Sequence, residues 1–316
     1  MRFRLRLDFM RAIWVIMAVI VLVLIAFKVV EKEQQNQEEL PPATYITIVN
    51  QDGENEQIEL ELFVMGVVAA EMPASFEEEA LKAQAIAART YILSHCEPYG
   101  QPRHGEAAVC CDSTHCQAYA DELELRMRWG KNYDKYYAKI ADAVLATRGE
   151  ILFWQESIAQ TPFCSTCGGR TENAEACWGQ AFPYLVAVDC DYCSHSPKYS
   201  SYQRFSLAEA ASLLATDIDK LYSMQVETYT PGDRIGTLSI EDMLYKGTEM
   251  RSKLGLNSAA FNWLIIGDNI VFTTIGYGHG VGMCQYGADG MAQRGYDYQQ
   301  ILQKYYPGTT IHQEGS

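Results

Sequence analysis

An unbroken apolar run from Ala12 to Phe27, extended past Lys28 by Val29 and Val30, is the feature that most constrains this chain. Such a segment is stable only inside a core or a bilayer, and its flanks choose between them. Arg2, Arg4, Arg6 and Arg11 precede it, and the acidic stretch EKEQQNQEEL follows. A spanning helix needs about 17–25 apolar residues. The run is short by that measure, and Lys28 lengthens it by snorkelling to the interface. Basic residues before the span predict an inside amino terminus and an outside body. A cleaved signal would leave through an A-x-A spelling, which the exit LIAFKVVEKE lacks. The expected order is a cytoplasmic basic tail at 1–11, an uncleaved transmembrane anchor at 12–30, and a polar linker at 31–43 holding Pro41 and Pro42. The body, 44–312, then lies outside a cell membrane crossed once.

The chain is 48% hydrophobic, enough for a substantial core. Asp and Glu number 40 against 25 Lys and Arg, a formal net charge of -15. A protein built to hold a nucleic-acid backbone shows the opposite sign, so no nucleic-acid partner is expected. Residues 44–50 alternate like a strand, and 58–70 have a helical pattern. Ser75 with Glu78 spells a capping box opening a helix to about Ser94, whose Ala80, Ala83, Ala85, Ala87 and Ala88 predict close helix packing. Glu77, Glu78 and Glu79 read as first-turn residues that complement the helix dipole. Leu123–Thr147 reads as helix, and 261–275 as a hairpin over Gly267 and Asp268. Together these predict a mixed α/β (α+β) body of two lobes around a groove, the smaller lobe at about 199–265.

Three features carry chemistry. Glu71 ends the apolar run Phe63–Ala70, immediately before Met72 and Pro73. A carboxyl held against apolar surface is desolvated, which raises its pKa and suits it to donate a proton near neutral pH. The competing reading is a helix-end carboxylate in water. The second feature is HGEAAVCCDSTHCQ, where His104, Cys110, His115 and Cys116 offer a Cys2His2 set for a structural zinc ion. Cys111, adjacent to Cys110, is less able to reach the same ion, and a local disulfide is the alternative. Downstream, Cys164 and Cys167 form one C-x-x-C pair and Cys190 and Cys193 another, with Cys177 and His195 nearby. That spelling suits either a second metal or disulfides. The third feature is GYGHGVGMCQYG at 276–287. No βαβ context supports a phosphate loop there. Alternating glycines instead let a backbone lie close to an extended ligand or another strand. His279, Gln285 and Tyr286 would then project into a groove; a tight turn with a satisfied histidine is the alternative.

Three long stretches, VVAAEMPASFEEEALKAQAIAARTY, STCGGRTENAEACWGQAFPYLVAV and GYGHGVGMCQYGADGMA with the later YYPGT, together resemble the stage II sporulation protein D/amidase-enhancer family. The match runs over about residues 44–312. The anchor fits the stage II branch, and the zinc-type loop resembles its clostridial members. The resemblance implies a peptidoglycan lytic transglycosylase acting on glycan strands stripped of stem peptides during forespore engulfment. It implies Glu71 as the catalytic residue, Arg89 as a groove-lining residue, and zinc on His104, Cys110, His115 and Cys116. It also implies stage II sporulation proteins P, an amidase, and M as partners. Cys284 stands where the motif often has Ser, which points to a structural role there. The amidase-enhancer branch supplies the other reading, a peptidoglycan-binding activator of a cell-wall amidase that does not itself cut sugars.

Overall fold

A computed structural model describes residues 43–111 and 115–315. The expected tail, the anchor and all but the last residue of the linker therefore lie outside the described residues. Among the described residues no helix is long and apolar enough to cross a membrane.

The body opens with strands β1 (Tyr45–Val49) and β2 (Asn55–Glu59), paired antiparallel. Alternation in β1 sends Ile46 and Ile48 into the core and leaves Tyr45 outside. Helix α1 (Leu60–Glu71) follows directly. Its apolar residues cover more than one face because it is packed on several sides, with Phe63, Val64, Val67 and Val68 all buried. Helix α2 (Glu78–Leu93) lies against it. The alanines of α2 let α1 and several later elements approach closely, and Ala80, Ala83, Ala85, Ala87 and Ala88 are all buried. The expected capping box is not formed. The N-cap is Glu77 and makes no side-chain cap bond. Its N–H donates instead to Asp289 Oδ1 at 2.8 Å, so a distant buried carboxylate caps this helix from outside.

Short strand β3 (Val109–Cys110) adds parallel to β1. The single helix expected over 123–147 is two: α3 (Glu122–Trp129) and α4 (Tyr133–Ala146). The break falls at Gly130, whose φ of 50° with ψ of -122° is a backbone conformation open to glycine, and it ends the first helix. Strands β4 (Glu150–Trp154), β5 (Ser157–Ile158) and β6 (Phe163–Cys164) follow, then the short helix α5 (Ala174–Trp178).

A second hydrophobic core begins after β7 (Ser200–Ser206). It gathers helix α6 (Leu207–Leu214), the antiparallel strands β8 (Gln225–Tyr229), β9 (Ile235–Ile240) and β10 (Met243–Lys246), and helix α7 (Gly247–Lys253). Ser206 and Glu209 form a reciprocal capping box on α6. The expected hairpin is present as β11 (Phe261–Ile266) and β12 (Asn269–Ile275). Strand β12 lies between β11 and β7, which carries this lobe on to about residue 275. The chain leaves and rejoins the main body at one point, where Gly276 N–H donates to the carbonyl of Tyr199.

The glycine-rich stretch then runs to β13 (Met283–Cys284), parallel to β6. It lies against another strand of the same chain. Tyr277 and Thr166 exchange both backbone bonds, and Met283 N–H donates to the carbonyl of Pro162. At Gly282, with φ 72°, a Cβ would fall 1.9 Å from that carbonyl oxygen, so only glycine permits the approach. Helices α8 (Gln285–Ala292) and α9 (Tyr298–Tyr305) and strand β14 (Thr310–Gln313), which pairs with β4, complete the main core. The body is thus mixed α/β, with five small sheets and two apolar clusters among the described residues.

Candidate active site

Glu71 is the last residue of α1. Pro73 holds Met72 in an extended conformation and stops the helix there. The chain is thereby fixed with the Glu71 carboxyl at the helix carboxyl end, partly covered, beside the buried Met72. Its Oε1 accepts a hydrogen bond from the N–H of Ala118 at 2.8 Å, and the Gln285 side chain supplies another. Burial pushes the carboxyl above its ordinary range; the Ala118 N–H and then Gln285 oppose this by favouring the anion. The carbonyl end of a helix dipole also disfavours negative charge.

Gln285 is buried at the start of α8, with Nε2 3.5 Å from Gln84 Oε1. Gln84 Nε2 and both amide atoms of Gln117, the residue before Ala118, have no hydrogen-bond partner among the described residues. Buried amides without partners are rare. The Tyr286 ring lies edge-on to Phe76 at 4.9 Å and to His195 at 5.4 Å. Two expected residues therefore meet, Glu71 and Gln285; Tyr286, the next residue of α8, packs on Phe76 and His195. Ala118 and Gln84 belong to the site as well. A backbone N–H leaves no signature in a sequence, and Gln84 sits among buried alanines that read only as packing.

Two expected residues do not join this group. Arg89 does not line a groove. It is 0% exposed, and its guanidinium donates to both oxygens of Glu61, at 2.9 and 2.6 Å, and to the carbonyls of Val144 and Glu150. Its place in the middle of the all-round-packed α2 turns it inward, where only a buried carboxylate can balance it. His279 lines a cavity of about 190 Å³ bounded by Glu172, Trp178, Arg234 and Arg251, with Glu71 not in its wall. The His279 Nδ1 accepts from the Val281 N–H at 2.9 Å, and its ring is 5.1 Å from Trp178. Burial, then Arg251 and Arg234, lowers its pKa to about 4, so it is neutral at neutral pH. His279 thus stands on the wall of a separate cavity, apart from the Glu71 group.

The four expected loop ligands, His104, Cys110, His115 and Cys116, place one donor atom each within 4.8 Å of one another. Cys116 Sγ is 3.2 Å from His104 Nε2 and 3.4 Å from His115 Nδ1, and Cys110 Sγ is 4.0 Å from His115 Nδ1. Tetrahedral zinc, with bonds of about 2.0–2.1 Å to nitrogen and about 2.3 Å to sulfur, separates neighbouring ligands by roughly 3.6 Å. The donor set fits that ion, and four protein ligands leave no open position. Cys116 lies two residues before Ala118, so the loop leads straight into the group that holds Glu71.

Residues 50–154 match the family described as "Stage II sporulation protein". Stage II sporulation protein D of Bacillus subtilis (strain 168) is 43% identical over 263 residues, covering 83% of this chain and 76% of that protein. The protein of the same name in Bacillus amyloliquefaciens is 40% identical over 262 residues, with the same coverage. The amidase enhancer of Bacillus subtilis (strain 168) is 28% identical over 301 residues, 78% of this chain and 40% of that protein. With identity at that level across most of both chains, this protein belongs to the stage II sporulation protein D family.

Proposed function

We propose that this protein is a membrane-anchored lytic transglycosylase that cleaves denuded peptidoglycan strands during sporulation, with Glu71 as its acid and then its base. The observation that carries this reading is the Glu71 carboxyl itself: partly buried, raised in pKa, one oxygen held by Ala118 N–H, and Gln285 beside it. In the ground state Glu71 is protonated and donates to the glycosidic oxygen between N-acetylmuramic acid and N-acetylglucosamine. The carboxylate left behind takes the proton of the muramoyl 6-hydroxyl as that oxygen attacks the anomeric carbon. The 1,6-anhydro ring closes, the acid is restored, and no water is consumed. Glycosidases of the usual type place two carboxylates about the bond; this reaction returns one proton to one group. The Ala118 N–H and Gln285 stabilise the carboxylate in the intermediate, when the charge exists. Zinc on the Cys2His2 loop, when bound, supplies no reacting position and fixes the segment that ends in Ala118.

Membership of a family named for sporulation supports the setting, and the basic and apolar amino-terminal sequence supports a single-pass location with the body outside. Peptidoglycan strands are the proposed substrate. Stage II sporulation proteins P and M are the proposed partners, the amidase supplying strands without stem peptides.

Likeness to an amidase enhancer favours a second reading, in which the body binds glycan and activates an amidase. Purified protein incubated with denuded glycan, with no amidase present, separates the two. Wild type should release anhydro-terminated fragments seen by mass spectrometry, and Glu71→Gln should bind glycan without releasing them. Ordinary reducing ends would mean a hydrolase, and no release by wild type would favour the activator.

A further inference from the structure

The second cysteine group resolves differently from its spelling. Cys164, half of the first C-x-x-C pair, is not part of it. The thiols that meet are Cys167, Cys190, Cys193 and Cys284, all buried, with their four sulfurs within 4.8 Å of one another. They come from three separate stretches: the loop after β6, the loop before β7, and the last residue of β13. We propose that Cys167, Cys190, Cys193 and Cys284 bind a second zinc ion as a tetrahedral tetrathiolate.

Zinc–sulfur bonds of about 2.3 Å place the sulfurs of a tetrahedron roughly 3.8 Å apart. Cys167 Sγ and Cys193 Sγ are 3.7 Å apart. Disulfides would bring sulfurs pairwise to about 2.0 Å, whereas none of these four cysteines is in a disulfide. The surroundings also favour thiolates. Cys284 Sγ accepts from the N–H groups of Cys167 at 3.2 Å and Gly287 at 3.3 Å. Tyr305, buried, brings its hydroxyl to 3.1 Å from Cys190 Sγ. Such hydrogen bonds to ligand sulfur are the usual outer support of a metal site. Gly287 makes room for the cluster, since a Cβ there would lie 2.6 Å from Cys190 Sγ and 2.1 Å from the Tyr305 hydroxyl. On binding, the four thiols give up their protons to solvent and the ion takes their place.

With four protein ligands the ion is structural. It joins the two chain crossings that flank the second lobe, because β7 to β12 lie between Cys193 and Cys284. It also anchors the residue before Gln285, which reaches Glu71. This site stands whether or not Glu71 performs the proposed chemistry.

The test is elemental analysis of the full chain purified without reductant, beside Cys284→Ser and Cys116→Ser. The expected content is two zinc ions in the wild type and one in each variant. Should Cys284→Ser fail to fold, cobalt-loaded wild type serves. Its thiolate-to-metal absorption should correspond to two thiolates from the loop and four from the buried set. Equal zinc in wild type and Cys284→Ser, absorption from two thiolates alone, iron in place of zinc, or disulfide-linked peptides among these four cysteines would each overturn the assignment.

Discussion

Replacing Arg89 by Met tests the placement that the structure corrects most sharply. The change removes both donors to Glu61 and the donors to the carbonyls of Val144 and Glu150. Glu61, 5% exposed, is left with the Gly149 N–H at 3.2 Å as its remaining donor among the described residues. An uncompensated charge of this kind costs about 3–5 kcal/mol. In a domain of this size each kcal/mol moves the melting temperature by about 2–4 °C, so a fall on the order of 10 °C is expected. Replacing both partners, Glu61→Leu with Arg89→Met, removes the charge as well as its partner. The double variant should recover to within about 1 kcal/mol of wild type, or exceed it. Urea denaturation followed by circular dichroism on the four proteins of the cycle gives the coupling, and sedimentation with glycan gives binding. Arg89→Met that melts with wild type yet no longer binds glycan would refute the reasoning, because the guanidinium would then face ligand.

Three further outcomes follow from the geometry. The raised carboxyl of Glu71 means that the folded chain holds this proton more tightly than the unfolded one. Stability from this group is fully present below the unfolded value and declines as pH rises through the folded one. Glu71→Gln should flatten that decline in melting curves taken across pH, and wild-type cleavage should fall on the alkaline side as the acid ionises. A wild-type rate that climbs steadily with pH would contradict the acid role. His279 behaves in the opposite sense: its pKa lies below the unfolded 6.5, at about 4, so stability is lost as pH falls through that window. His279→Gln should remove this acid limb; an unchanged limb would assign it elsewhere. Cys116→Ser should loosen the loop leading to Ala118, so trypsin should cut after Arg103 faster than in wild type, and cleavage of denuded glycan should drop. Unchanged digestion would show that the loop holds itself without metal.

Local elements and the candidate acid are legible along the chain alone. Alternation marked β1, the apolar run marked α1, the alanine spacing marked α2, and Gly267 with Asp268 marked the β11–β12 turn. These patterns are legible because neighbours in sequence share one face of one element. Glu71 stood out for the same reason, as a charge ending an apolar face. Which groups meet across elements is set by how the elements pack. Arg89 looks like any helical arginine until α1 brings Glu61 against it. Ser75 spells a cap, yet Asp289 supplies one from more than two hundred residues away. Cys164 shares a motif with Cys167, but the parallel pairing of β6 with β13 gives Cys284 the place among the buried thiols. Each of these contacts depends on where separate segments pack, and spacing along one segment carries no record of the distance to another.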